Sequence, residues 1–221
     1  MRELHLPMRV WDIPTRLFHW LLVILVFTAW LSQRQSWMDL HMLCGYAILT
    51  LLIYRLVWGL IGSDTARFSH FLKSPFAALR HLSHLHKREP DTEVGHNAAG
   101  GWMVLVILGL LAVQVGTGLF ANDDISAEGP LSWWAGKEGS DAMTRWHSLS
   151  FTAIKLWILS HVLALATYFV LKGHNLVRPM ITGKKRLPGT MRAPRMVHPV
   201  LALIVLVLSA GAVTLFVRLV S

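Results

Sequence analysis

The chain has 221 residues, 54% of them hydrophobic and only 15% charged. A soluble domain carries about 25% charged residues, so this composition excludes an ordinary water-soluble fold and points to an integral membrane protein. The net charge of +9 would suit nucleic acid, but its distribution along the chain removes that reading.

Residues 1–16 form a basic lead with Arg2, Arg9 and Arg16, broken by Pro7 and Pro14. No small-residue cleavage site follows the first apolar run, so no cleavable signal is expected. The first span is predicted over about residues 17–37, with His19 one turn inside its start. A polar break from Ser32 to Asp39 leads to the second span, about 40–61, which His41 opens. The following loop carries Arg67, Lys73, Arg80, Lys87 and Arg88. Within it, Phe76, Leu79, Leu82 and Leu85 recur at a helical period. They predict a short helix from Pro75 to His86 lying on the membrane surface.

The third span, about 98–121, contains Gly100, Gly101, Gly109, Gly116 and Gly118, which admit close approach of a helix or a flat ligand. An acidic loop follows, with Asp123, Asp124, Glu128, Glu138 and Asp141. The fourth span is predicted over about 142–171. A second basic loop carries Lys172, Arg178, Lys184, Lys185, Arg186, Arg192 and Arg195. The last span covers about 199–219, with Arg218 at its far end.

The lead and both basic loops fall on one side of the membrane. The opposite side has Arg34, Lys137, Arg145 and Arg218. Lys and Arg stay cytoplasmic, so the N-terminus is expected inside and the C-terminus outside. The positive charge is thus a topology signal, and no nucleic-acid partner is expected. Trp11, Trp37, Trp58, Trp102, Trp133, Trp134 and Trp146 fall near predicted span ends, as an interfacial aromatic belt requires. No internal repeat or mid-membrane helix break suggests a transporter. The whole chain reads as one transmembrane domain.

The fourth span holds His147 and His161, fourteen residues apart. Fourteen steps of about 100° return to within roughly 40° of the start and climb about 21 Å. Both imidazoles therefore share a helix face, near opposite surfaces of a hydrocarbon core of about 30 Å. Spans two and four run the same way, which sets His41 level with His147 near the outer surface. His19 falls level with His161 near the inner one. Two depth-matched histidine pairs point to two haems, each bis-histidine ligated. The lone Cys44 excludes an internal disulfide and a CxxCH attachment, so the haems are b-type. Bis-histidine ligation leaves no open position on iron and favours electron transfer over oxygen activation. Each ligand should be a neutral imidazole whose other nitrogen donates to an acceptor. The sequence does not identify those acceptors.

Arg55 follows His41 by the same fourteen residues and falls level with the inner pair. A propionate of the inner haem would satisfy its charge. Snorkelling to the inner surface is the alternative. Gly45, one turn below His41, suits close approach of a macrocycle or of another helix.

The chain resembles the prokaryotic cytochrome b561 group, which includes the b-type cytochrome subunits of nickel–iron hydrogenases. The resemblance is carried by Val10-Trp11-Asp12-Ile13-Pro14-Thr15-Arg16-Leu17-Phe18-His19-Trp20 and by Tyr54-Arg55-Leu56-Val57-Trp58-Gly59. It continues through Gly95-His96-Asn97-Ala98-Ala99-Gly100-Gly101-Trp102, Leu119-Phe120-Ala121-Asn122-Asp123-Asp124-Ile125 and Arg178-Pro179-Met180-Ile181-Thr182-Gly183. It implies an all-α integral membrane protein: a four-helix transmembrane bundle holding two b haems, here with a fifth transmembrane helix. It implies electron transfer between the quinone pool (ubiquinone or menaquinone) and a redox partner in the bacterial inner membrane. That partner is a periplasmic cytochrome, a dehydrogenase or hydrogenase, or, in one branch, superoxide. A quinone reductase or superoxide:quinone oxidoreductase is thereby admitted, as is a homodimer. The rival class is a haem-containing membrane anchor that docks a redox enzyme without quinone chemistry of its own.

Other polar residues carry weaker signals. His81 and His84 share a face of the surface helix but lack cysteine or carboxylate partners, so a solvated basic helix competes with a metal site. His96 and Asn97 sit where they would contact quinone or propionate, or cap the third span. Lys155 stands inside the fourth span, suited to a proton path or a helix contact. His174 and His198 read as interfacial.

Overall fold

The computed structural model describes residues 5–83, 92–125 and 127–220. Its elements in order are β1 (His5–Arg9), α1 (Ile13–Arg34), α2 (Met38–Ile61), α3 (Phe68–Phe71), α4 (Pro75–Ser83), α5 (Ala98–Gly118) and α6 (Ser132–Thr167). A π-helical turn, Tyr168–Lys172, continues α6, and α7 (Val177–Thr182), β2 (Lys184–Pro188) and α8 (Pro199–Val220) complete the chain. Among the described residues, five helices are long and apolar enough to cross a membrane: α1, α2, α5, α6 and α8.

The helix boundaries have local causes. The Asp12 carboxylate accepts the Thr15 amide at 2.7 Å, so α1 starts at Ile13, four residues before the apolar run. It ends at Arg34, where Ser36 takes φ 58° in the turn. Asn97 caps α5 by accepting the Gly100 amide at 2.7 Å, which decides its role in favour of capping. The fourth long helix begins at Ser132, ten residues before the expected start, and Gly136 interrupts it at φ 65°. Residues 132–141 are too polar to read as a span, so only their local partners reveal them as helical. Ser132 and Ser140 are buried, and the Asn122 amide donates to Ser140 Oγ at 2.5 Å.

The surface helix is present where expected among the described residues. It runs Pro75–Ser83 with Phe76, Leu79 and Leu82 exposed on it, as a helix lying on a membrane requires. Positions 84–86 lie outside the described residues.

The chain divides into two compact units. The first comprises the residues up to Leu17, Val57–Val106 and Ile158–Ala202. It holds the one departure from an all-α chain among the described residues, an antiparallel ribbon of β1 and β2 pairing His5 with Pro188 and Arg9 with Lys184. Six of the ten ribbon residues are lysine, arginine or proline, which hid the strand signal. Val10, Trp11 and Leu187 form its core, packed by Met8, Val94, Met180 and Met191. The Gly183 carbonyl accepts the amides of Val10 at 2.9 Å and Trp11 at 3.2 Å. Gly183 itself sits at φ 77°, with the Trp11 carbonyl where a Cβ would go. The indole of Trp58, fully buried, donates to the Asp12 carboxylate at 3.3 Å.

The second unit comprises Phe18–Leu56, Ile107–Trp157 and the residues from Leu203 onward. α2 supplies much of its core through Cys44, Ile48, Leu51, Leu52 and Tyr54. The acidic loop is ordered by its own side chains. The Asp123 carboxylate accepts the amides of Ile125 at 3.0 Å and Ala127 at 2.8 Å. Lys137 bridges Asp124 and Asp141.

Candidate haem site

His41 stands in the first turn of α2 and His147 in α6, and the second unit brings their rings to a centroid distance of 6.0 Å. The ring planes lie 76° apart. His41 Nδ1 donates to the Ala29 carbonyl on α1 at 2.8 Å. His147 Nδ1 donates to the Gln114 carbonyl on α5 at 2.8 Å. A carbonyl only accepts, so both rings carry their proton on Nδ1 and present a lone pair at Nε2. These carbonyls are the acceptors that a metal-ligating imidazole needs.

Close packing fixes His147 further. A Cβ added to Gly118 on α5 would stand 2.9 Å from His147 Cε1 and 3.1 Å from Nδ1. Glycine at 118 is therefore what lets the ring reach the Gln114 carbonyl. Thr117 Oγ1 lies 3.4 Å from Nδ1 and donates to the Val113 carbonyl at 2.7 Å. The Gln114 side chain reaches the ring too, with its amide nitrogen 2.9 Å from His147 Nε2. Its oxygen accepts the Ser150 hydroxyl at 2.5 Å.

The donor set fits a haem. Two metal–imidazole bonds of about 2 Å, plus roughly 1 Å from each ring centre to its nitrogen, sum to about 6 Å. Gly45, one turn below His41, has nothing within 4 Å of an added Cβ, so protein packing does not use it. The most apolar stretch of α6 is 6% buried against 44% for α2, which leaves its faces to lipid or a prosthetic group.

The remaining sequence candidates are placed as follows. His19 lies in α1, half-buried, with its ring 4.9 Å from that of Trp20 and perpendicular to it. His161 is half-buried in α6. His19 belongs to the second unit and His161 to the first. Arg55 is 2% exposed, so it is enclosed by protein and does not extend to water. Its guanidinium carbon lies 6.0 Å from the Phe18 ring centre. Lys155 is exposed on α6 with its ammonium 5.3 Å from the Phe151 ring. His81 Nε2 pairs with the Tyr168 hydroxyl, which also accepts the Asn97 side-chain amide at 2.8 Å. His96 lies between Trp11 and Phe71, at 4.7 Å from each ring. Among the described residues, no group of three His, Cys, Asp or Glu side chains is placed to hold a metal ion; His84 and His86 lie outside them.

A family model describing prokaryotic cytochrome b561 matches residues 10–183. The chain belongs to that family. It is accordingly a multi-pass membrane cytochrome of b type, which binds haem and serves electron transfer. No curated protein and no solved structure matches it. The matched segment contains α1, α2, α5 and α6 and stops before α8.

Sequence reasoning missed several residues that this cytochrome uses around His147. Gln114 was visible in principle: α5 is otherwise apolar or small over most of its length, and a carboxamide inside a span is a functional signal. The Ala29 carbonyl had no side-chain signature at all.

Proposed function

We propose that this cytochrome carries two b haems and moves electrons between membrane quinone and a redox partner on the outer side. His41 and His147 hold the outer haem, and His19 and His161 hold the inner one. The observation that carries the reading is the facing of His41 and His147, each with Nδ1 committed to a backbone carbonyl and Nε2 unprotonated. Haem, when bound, supplies reversible one-electron chemistry.

The chain's own residues define what that chemistry is used for. With two histidines holding each haem, its iron would offer oxygen no place to bind. The carbonyls of Ala29 and Gln114 hold the Nδ1 protons and keep the imidazoles aimed. Arg55 keeps its charge under all conditions and, enclosed as it is, favours an anionic neighbour such as a propionate of the inner haem. The distribution of Lys and Arg supports an N-terminus in the cytoplasm and a C-terminus in the periplasm of the bacterial inner membrane. Ubiquinone or menaquinone is the membrane-side reactant, and a periplasmic or membrane-bound redox protein, or superoxide, is the other.

Purified protein should yield two pyridine haemochromes per chain and be reduced by a quinol. A haem content of one removes a histidine pair. Full haem content without quinol reactivity replaces the quinone reading with that of a docking anchor.

A further inference from the structure

Gln114 occupies an unusual position. Through one residue, α5 offers His147 both an acceptor and a donor. The backbone carbonyl takes the Nδ1 proton at 2.8 Å, and the side-chain amide lies 2.9 Å from Nε2. Only one arrangement of hydrogens satisfies all the contacts. Because the carbonyl must accept, Nδ1 carries the proton and Nε2 the lone pair. The Gln114 amide group must then donate to Nε2, which turns its oxygen toward Ser150, where a hydroxyl donates to it at 2.5 Å. Ser150 is buried, one turn further along α6 from His147. The carboxamide is thus anchored at one end and reads the ring nitrogen at the other. Gly118, one turn along α5, leaves the space in which the ring is held.

We propose that Gln114 is a positioning residue for His147: its carbonyl and side-chain amide together select the Nδ1–H tautomer and fix the ring orientation in which this imidazole takes a haem. The inference rests on the reading that His41 and His147 hold a haem. In the chain without haem, the amide protects the Nε2 lone pair inside an apolar helix bundle, where an unpaired acceptor is costly. A haem iron held by His147 would take the place of that donor at Nε2. The Ser150 hydroxyl retains the carboxamide afterwards, so the side chain stays beside the ring.

Three variants test this. Ring orientation is read by low-temperature EPR of the oxidised protein. The two rings lie 76° apart; if they held a haem at that angle, the oxidised protein would give a highly anisotropic low-spin signal, and rotation of one ring toward the other would lower that anisotropy. Haem retention is read by transfer to excess apomyoglobin. His147→Ala should abolish the outer haem's signal and sets the reference. Gln114→Met keeps length but offers the Ser150 hydroxyl no acceptor, so nothing anchors the side chain beside the ring. It should reduce the outer signal's anisotropy and speed that haem's loss about tenfold, leaving the other haem unchanged. Ser150→Ala releases the carboxamide and should move both readouts the same way by less. Ser150→Ala alone decides the matter if Gln114→Met fails to fold. If His147→Ala loses the haem while Gln114→Met and Ser150→Ala keep the parental signal and loss rate, Gln114 does not position the ligand. If His147→Ala keeps the signal, the haem assignment beneath the inference falls instead.

Discussion

Gly118→Ala is expected to expel or misplace the outer haem without weakening the helix that carries it. The added methyl would stand 2.9 Å from His147 Cε1. Ordinary carbon contacts begin at about 3.5–4.0 Å, so the ring must retreat by roughly 0.6–1 Å. Ligand geometry tolerates displacements of only about 0.5 Å. Disturbing a ligand's support at this level costs about 10–100-fold in affinity, or about 1.4–2.7 kcal/mol. In the opposite direction, Ala favours helix over Gly by up to about 1 kcal/mol. Haem titration should therefore show weakened binding at one of two sites, and the haem-free protein should melt lower only by what the displaced ring costs beyond the helix gain. Gly109→Ala is the control, since nothing lies within 4 Å of its added Cβ on the same helix. Full occupancy of both sites in Gly118→Ala, with an unshifted spectrum, would refute the placement of His147 against α5.

The other expected outcomes are these. His41→Ala and His147→Ala should lose the same haem, and His19→Ala and His161→Ala the other; a shared redox phenotype for His41→Ala and His161→Ala in potentiometric titration breaks the pairing. Arg55→Leu should lower the midpoint potential of the inner haem by on the order of tens of millivolts, because a nearby cation favours the reduced form. Arg55→Lys should fall between, keeping the charge and losing the planar fork; unchanged potentials in both variants would leave Arg55 a purely structural buried cation. Asp12→Ala removes a helix cap and the partner of the Trp58 indole, and should destabilise by about 2 kcal/mol in thermal melts in detergent. The acidic loop would steer a basic partner by opposite charge, so neutralising Glu138 together with Asp124 should slow reduction by a basic periplasmic cytochrome at low salt; a rate indifferent to salt and to both changes would refute that steering.

The fold was legible wherever the membrane imposed its own rule. Five apolar runs of about twenty residues gave the five long helices, and the second, third and fifth began within two residues of expectation. Helix ends were harder to read where local polar chemistry set them. Asp12 starts α1 early, and residues 132–141 become helical through Asn122, Lys137 and buried serines. The ribbon of β1 and β2 depends on pairing residues separated by most of the chain, which periodicity cannot show. At the site, spacing alone put His41 near His147. It said nothing of Ala29, whose contribution is a backbone carbonyl. Arg55 shows the same limit: its position was readable, but its enclosure, which separates it from a snorkelling arginine, is a property of packing.

The structure also gives physical sense to where the family match begins and ends. Val10, its first residue, donates its amide to the carbonyl of Gly183, its last, at 2.9 Å. Trp11 adds a second bond to the same carbonyl, and the ribbon seals the junction with Leu187 at its core. Many of the stretches that carry the resemblance meet around this closure, where Asp12 holds Trp58 and Asn97 holds Tyr168. Their chemistry is that of joining helix ends, whereas the histidines ride on the helices themselves. α8 comes after the closure and is tied on separately. Asp64 exchanges hydrogen bonds with Arg195, and Ser63 accepts the Val197 amide at 3.0 Å. Its buried residues Ala202, Val205, Ser209 and Val213 recur along one helical face, while Leu203, Ile204, Val207, Leu208 and Leu215 remain exposed. A helix attached in this way completes an already closed family fold by packing, and it adds none of the four histidines on which the redox reading depends.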